Sequence, residues 1–164
     1  MSKEIDIEYY HQLALQKQKE HRKVLANLKK KPPKNLDKIA QQIHQEVFAE
    51  IDCTACANCC KTLGPDFKEA DITRIAKYFK MKLPAFEAEF LQVDEDGDKV
   101  FKSMPCPFLG GDNLCSIYDV RPKACREFPH TDRKKIHQMN HLTIKNTLTC
   151  PAAYLFVEKL KDKL

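Results

Sequence analysis

Glycine is scarce in this chain: only Gly64, Gly97, Gly110 and Gly111 occur among 164 residues. Neither a GxGxxG fingerprint nor a phosphate-cradling GxxxxGK loop can be written from so few, and a glycine loop for S-adenosylmethionine is missing too. No serine sits in a nucleophile elbow. No stretch approaches the roughly 18 apolar residues that a membrane span requires. Met1-Ser-Lys-Glu-Ile-Asp-Ile-Glu8 places acids where a signal peptide carries its apolar segment, so no export signal is expected. With 31% charged residues and a negative mean hydropathy, the chain reads as soluble and cytoplasmic, with no membrane association.

Cysteine, by contrast, is abundant: Cys53, Cys56, Cys59, Cys60, Cys106, Cys115, Cys125 and Cys150. In a reducing cytosol such thiols stay free, and clustered ones serve as metal ligands or catalytic groups more often than as disulfides. The formal charge of +5 leaves thiols out. Four thiolates around a [4Fe–4S]2+ core would lower it to about +3, and two four-thiolate zinc sites to about +1. The basic balance thus reads as compensation for a metal centre and is poor support for nucleic-acid binding. The lysines of 17–34 read as a solvated helix face.

The length suits one domain with a helical extension: an N-terminal helical hairpin over 1–52 and a cysteine-cluster domain over 53–164. Residues 3–31 predict a long polar helix, with Ile5, Tyr9 and Leu13 on one stripe and Val24, Leu25 and Leu28 resuming it. Gln16 to Lys23 between them offers no apolar face. Pro32 and Pro33 stop the helix. A second helix follows, capped by Asn35, with Leu36, Ile39, Ala40, Ile43, Val47 and Ile51 on its stripe. Asp66-x-x-Glu69 resembles a capping box opening a helix with Ile72, Ile75, Ala76 and Phe79 on one face. Pro84 to Leu91 predicts another short helix. Val93 and Val100-Phe101 flank Asp96-Gly97, a hairpin signal. Asp94 to Asp98 lacks the glycine and glutamate positions of a calcium loop, so it reads as that turn. Residues 105–129 read as irregular, and 131–148 are ambiguous. A last helix runs from Pro151, burying Ala153, Phe156, Val157, Leu160 and Leu164. The expected fold is mainly α with a small β-hairpin and a loop-rich metal domain.

In Cys53-x-x-Cys56-x-x-Cys59, thiolates three residues apart turn inward around one centre. Three such ligands fit three corners of an iron–sulfur cubane, with Cys106 or Cys150, each followed by proline, as the distant fourth. Adjacent side chains diverge, so Cys59 and Cys60 are not expected to share one metal ion; one of them is expected to serve a second site or to support the other. Zinc is the rival, since eight cysteines divide into two tetrahedral sites. The gaps between Cys106, Cys115, Cys125 and Cys150 are not zinc-ribbon spacings, so spacing favours an iron–sulfur cluster over zinc. Arg121 and Arg126 are read as supporting the thiolates from outside, and Lys61 and Lys123 as candidates for the same role. His11, His21, His44, His130, His137 and His141 read as surface histidines; on one helix, His137 and His141 would share a face.

The ordered motifs Cys53-Thr-Ala-Cys-Ala-Asn-Cys-Cys60, Cys106-Pro-Phe-Leu109, Cys115-Ser-Ile-Tyr-Asp-Val-Arg-Pro122 and Cys125-Arg-Glu-Phe-Pro129 resemble the YkgJ-type CxxCxxCC cysteine-cluster family, described as zinc- or iron-chelating. The resemblance covers about residues 53 to 151 and implies that all eight cysteines are metal ligands. It departs at Ala57, where many members carry glycine. A similar motif occurs in the much longer flagellin lysine methylases, and the motif alone does not carry that activity over. Three uses stay open: an interaction module with a structural metal and the N-terminal hairpin as its protein-binding arm, an electron-transfer accessory, or part of a protein-modifying enzyme.

Overall fold

The computed structural model describes residues 4–164, and Lys3, the first residue of the predicted N-terminal helix, lies outside them. In chain order the elements begin with α1 (Ile7–Lys30), α2 (Leu36–Glu50), α3 (Cys53–Cys56), α4 (Asn58–Thr62), β1 (Asp66–Phe67) and α5 (Glu69–Tyr78). They continue with α6 (Leu83–Phe90), β2 (Leu91–Val93), β3 (Lys99–Phe101), α7 (Lys123–Glu127), α8 (Asn140–Thr147) and α9 (Pro151–Asp162). The protein is mainly α-helical with one small antiparallel sheet, as its sequence predicts. Two compact units form: Ala57–Phe128 is one, and the segments up to Cys56 and from Pro129 onward are the other. The boundary falls inside the cysteine motif. Among the described residues no helix is long and apolar enough to cross a membrane.

The unit with both chain ends is a helical layer built around α9. The Asp6 carboxylate accepts the Tyr9 N–H at 2.9 Å and opens α1; Lys31, ahead of two prolines, closes it. The stripe of α2 is as predicted, with Leu36, Ala40, Ile43 and Val47 buried. They share a core with Leu25 and Leu28 of α1 and with Phe156, Val157 and Leu160 of α9. Both α1 and α2 pack on α9 more extensively than on each other. Asn35 stands at the N-cap of α2 but its side chain makes no capping bond. The Asp37 carboxylate instead accepts the N–H groups of Lys135 and Ile136 at 2.7 and 3.1 Å, tying the returning chain to the first turn of α2.

Several expectations for this unit are corrected. Tyr9, placed on the buried stripe, is 57% exposed, and Leu164 is 53% exposed. Leu25 and Leu28 of α1 are buried as predicted, and the buried face continues through His21 to Ala14. It therefore crosses Gln16 to Lys23, the segment expected to have none. His21 is fully buried, not a surface histidine, because its Nε2 bonds the Glu158 carboxylate at 2.7 Å. Lys161 joins Glu158 to Glu20 at 3.0 and 3.1 Å. His137 lies in a 3₁₀ turn and His141 in α8, so no single helix carries both.

In Ala57–Phe128, β2 and β3 form the hairpin around Gly97, whose φ of 84° suits glycine. Asp94 accepts the N–H groups of Asp96 and Asp98 across the turn. β1 adds a third strand on the free edge of β3. That strand takes up Asp66, so the capping box predicted from it is absent. The cap is shifted by two residues: the Asp71 carboxylate accepts the Lys68 N–H at 3.0 Å. Ile72, Ile75 and Ala76 are buried as predicted, whereas Phe79 lies past the helix end, 37% exposed. The core gathers Phe67, Ile72, Ile75, Phe86, Leu91, Phe101, Phe108 and Ile117, with Cys106 and Cys115 packed against it.

Phe156 is 1% exposed in the core of the helical unit. Phe156→Ala is expected to lower stability by about 3–5 kcal/mol, whereas Val93→Ser, at a site 65% exposed, is expected to stay within about 0.5 kcal/mol. Chemical denaturation followed by circular dichroism checks both.

Candidate metal centre

All eight cysteines are free thiols. The two units divide them: Cys53, Cys56 and Cys150 belong to the helical unit, and Cys59, Cys60, Cys106, Cys115 and Cys125 to Ala57–Phe128. Each group is held by short local structure, because thiols on long helices would point too far apart to converge.

In the helical unit, Asp52 sets the first turn. Its carboxylate accepts the Thr54 N–H at 2.9 Å and the Thr54 hydroxyl at 2.6 Å, which starts α3 and places Cys53 and Cys56 one turn apart. Cys150 is the N-cap of α9, with Pro151 following in the first turn. Its sulfur accepts the N–H groups of Ala153 and Ala152. Burial, with Cys53 and Cys56 nearby, nevertheless pushes the Cys150 thiol up to about 12.

In Ala57–Phe128, Ala57 adopts the left-handed conformation, with φ 50° and ψ 17°. A Cβ in that conformation costs on the order of 1–2 kcal/mol. The turn leads into α4, which carries Cys59 and Cys60. Adjacent side chains were expected to diverge, yet the Cys59 thiol hydrogen-bonds Cys60 and brings it down to about 7. Cys106 is tied to this helix by its own N–H, which donates to the Cys60 carbonyl at 2.8 Å. A narrow loop closed by the Leu109–Cys115 bridge then returns the chain to Cys115. The sulfur of Cys106 accepts the N–H groups of Phe108 and Leu109, and that of Cys115 accepts the Ile117 N–H. Such N–H···S bonds orient a thiolate for a metal and spread its charge.

Burial pushes Cys106 up to about 11 and Cys125 up to about 12. The other thiols add to the burial: Cys60 and Cys115 act on Cys106, and Cys60, Cys106 and Cys115 on Cys125. Burial also raises Cys115, with Cys60 adding to it. Every pair among Cys60, Cys106, Cys115 and Cys125 therefore interacts. Arg121 acts in the opposite direction on both Cys115 and Cys125, in keeping with the supporting role read for it from sequence. Its guanidinium lies 3.8 Å over the Tyr118 ring and donates to the Tyr118 carbonyl.

Among the described residues, no three His, Cys, Asp or Glu side chains stand close enough to hold a metal ion as they are. The donor set fits a thiophilic metal in kind and number, while its geometry is more open than a closed site. A tetrahedral zinc with bonds of about 2.3 Å would draw sulfurs to roughly 3.8 Å from one another.

Sequence reading missed Asp71 and Arg74. Asp71 is 2% exposed and accepts the Lys123 N–H at 3.0 Å as well as its bonds from Lys68 and Arg74. Burial acts to raise its carboxyl, but these donors outweigh it and hold the group below the usual carboxylate range. Arg74 donates onward to the carbonyls of Val120 and Arg121 at 3.2 and 2.8 Å. The only local signal was the i, i+3 spacing of an acid and an arginine.

In reduced, metal-free protein, Cys60 is expected to alkylate first at pH 7, with a rate midpoint near its pKa of about 7. Cys125 and Cys150 are expected last. Cys59→Ala should move the Cys60 midpoint toward the ordinary thiol value of about 8.5. Iodoacetamide labelling with peptide mapping reads both, and uniform labelling of the eight thiols would contradict the electrostatics described.

No curated protein and no solved structure matches the chain. A family model matches residues 52–150, the CxxCxxCC family described as a "Putative zinc- or iron-chelating domain". That span covers more than half of the sequence and contains every cysteine, and the chain belongs to this CxxCxxCC family.

Proposed function

We propose that the chain is a metal-binding protein whose principal centre is a four-thiolate site made by Cys60, Cys106, Cys115 and Cys125, holding one zinc ion. The observation that carries this reading is that the four cysteines lie in one compact unit, with the Cys106 N–H on the Cys60 carbonyl at 2.8 Å and Cys115 bridged to Leu109, and raise one another's thiols. Four sulfurs, two of them already bonded by backbone N–H groups, supply the donors in kind and number for a tetrahedral structural zinc, which would draw them together. Cys60, lowered by Cys59, would engage first, and the raised thiols would release protons as the metal takes them. Metal binding would then add stability to a unit whose core is small, on the order of 10 kcal/mol.

A second reading concerns Cys53, Cys56 and Cys150. Two thiols one turn apart with a third before a proline give three ligands, enough for three irons of a cubane. This group supports an iron–sulfur cluster better than it supports a closed zinc site, because a fourth sulfur is wanting in its own unit.

Metal and acid-labile sulfide analysis separates the readings on protein purified without oxygen from cells supplied with zinc and iron. One zinc and no sulfide per chain is the outcome expected of the four-thiolate site alone. About four irons with four sulfides would establish the cluster. Cys125→Ser should lower zinc content and Cys53→Ser should leave it unchanged; wild-type zinc in Cys125→Ser would exclude the assignment. Zinc affinity should rise with pH from 6 to 9, since raised thiols must lose protons to bind.

A further inference from the structure

We infer that Asp71 and Arg74 are positioning residues for the thiol centre, fixing the segment between Cys115 and Cys125 so that metal affinity depends on side chains that never touch the metal. This rests on the four-thiol reading above.

The segment needs an outside anchor. Cys115 and Cys125 are joined by a 3₁₀ turn at Tyr118–Val120, the Arg121-Pro122 link and the five-residue α7. A helix that short is not stable by itself in water. Its N-cap is Pro122, and no side chain of its own caps it. The cap comes instead from α5: Asp71 Oδ1 accepts the N–H of Lys123, the first residue of α7, at 3.0 Å. Two residues before Lys123, the Arg121 carbonyl accepts from Arg74 Nη2 at 2.8 Å, and the Val120 carbonyl accepts from Arg74 Nε at 3.2 Å. The pair is itself closed by Arg74 Nη2 to Asp71 Oδ1 at 2.8 Å. Three polar groups of the Val120–Lys123 backbone, two acceptors and then a donor beyond Pro122, are thus matched by one acid and one arginine.

The clamp stands on the rigid part of the unit. Asp71 also caps α5 through the Lys68 N–H, and its neighbours Ile72 and Ile75 are fully buried. The position of Cys125, two residues into α7 from Lys123, is therefore referred to the hydrophobic core through Asp71. The backbone on which Arg121 stands is held by the same arginine, and Arg121 is the cation that acts on Cys115 and Cys125. A planar guanidinium reaches two carbonyls and a carboxylate together; a lysine ammonium has no fork with which to do so.

The test uses full-length protein, stripped and reloaded with cobalt or zinc, in three variants of the clamp: Asp71→Asn, Arg74→Met and Arg74→Lys. Outer partners of metal ligands typically contribute 10–100-fold to affinity. Asp71→Asn and Arg74→Met are expected to lower zinc affinity at least tenfold, speed zinc release to a chelator, and weaken the thiolate-to-cobalt absorption. Arg74→Lys should recover only part of the loss, and the double variant should be little worse than either single one. Lys99→Met, which breaks the ion pairs to Glu69 and Glu87 in the same unit, is the control for general destabilisation and should keep wild-type affinity. Cys125→Ser separates the two failures. If it leaves zinc affinity intact, the four-thiol reading falls. If it abolishes binding while Asp71→Asn and Arg74→Met bind as the wild type, the positioning inference falls. An equal loss in Lys99→Met overturns it as well.

Discussion

Four thiols that share one small unit and raise one another cannot all ionise unless a cation stands among them. Burial already opposes the charge on Cys106, Cys115 and Cys125, and the partly ionised Cys60 opposes it further. Left as thiols, the sulfurs have no reason to close to the separations a metal imposes, and they stand apart. In the proposed site a divalent ion would supply the missing charge and draw the four sulfurs together. Cys60 breaks the deadlock, because a neighbouring thiol donates to it and a fraction of it is anionic at neutral pH.

Holding such a set open requires scaffolding that does not rely on sulfur. One core, formed by α5, α6 and the sheet, supports Cys106 and Cys115 directly. Cys125 is farther along the chain in a helix of five residues, none of them fully buried, and polar bonds from Asp71 and Arg74 anchor that segment to α5. Ala57 is the other fixed point. A residue with a Cβ held at φ 50° between Cys56 and Cys59 keeps that conformation only because its surroundings impose it, and it is 5% exposed.

The helices with clean apolar stripes were legible in the sequence. Leu36, Ala40, Ile43 and Val47 on α2, and Phe156, Val157 and Leu160 on α9, report their burial through spacing alone. The hairpin at Asp96-Gly97 was equally plain, since its turn chemistry is local. On α1 the C-terminal stripe of Leu25 and Leu28 was legible, but the middle was missed because its buried residue is a histidine. Only the distant Glu158 makes His21 acceptable inside, and a partner 137 residues away leaves no mark on periodicity. The box at Asp66 failed for a related reason. Pairing of Asp66 with Val100 claimed that residue for the sheet, and the cap passed to Asp71. For the site, motif spacing identified the eight cysteines as a set. It could not reveal how they group, because that depends on which core each segment joins.

Charge follows the same division. The formal +5 was read as compensation for thiolates, but Lys, Arg, Asp and Glu nearly balance within Ala57–Phe128, where five of the cysteines lie. The excess belongs to the helical unit, on exposed lysines such as Lys29, Lys30, Lys31, Lys34 and Lys38, none of them in an ion pair among the described residues. A four-thiolate zinc site would add two negative charges to a unit that carries almost none in balance. Compensation by bulk charge is therefore not what stabilises the centre. It falls to local donors instead: the N–H groups that meet Cys106 and Cys115, and Arg121, whose backbone is held by Arg74. Interactions of this kind are short and half-buried, and less screened by salt than exposed charges, so an increase in ionic strength would weaken the lysine-rich surface of the helical unit more than the proposed thiol centre.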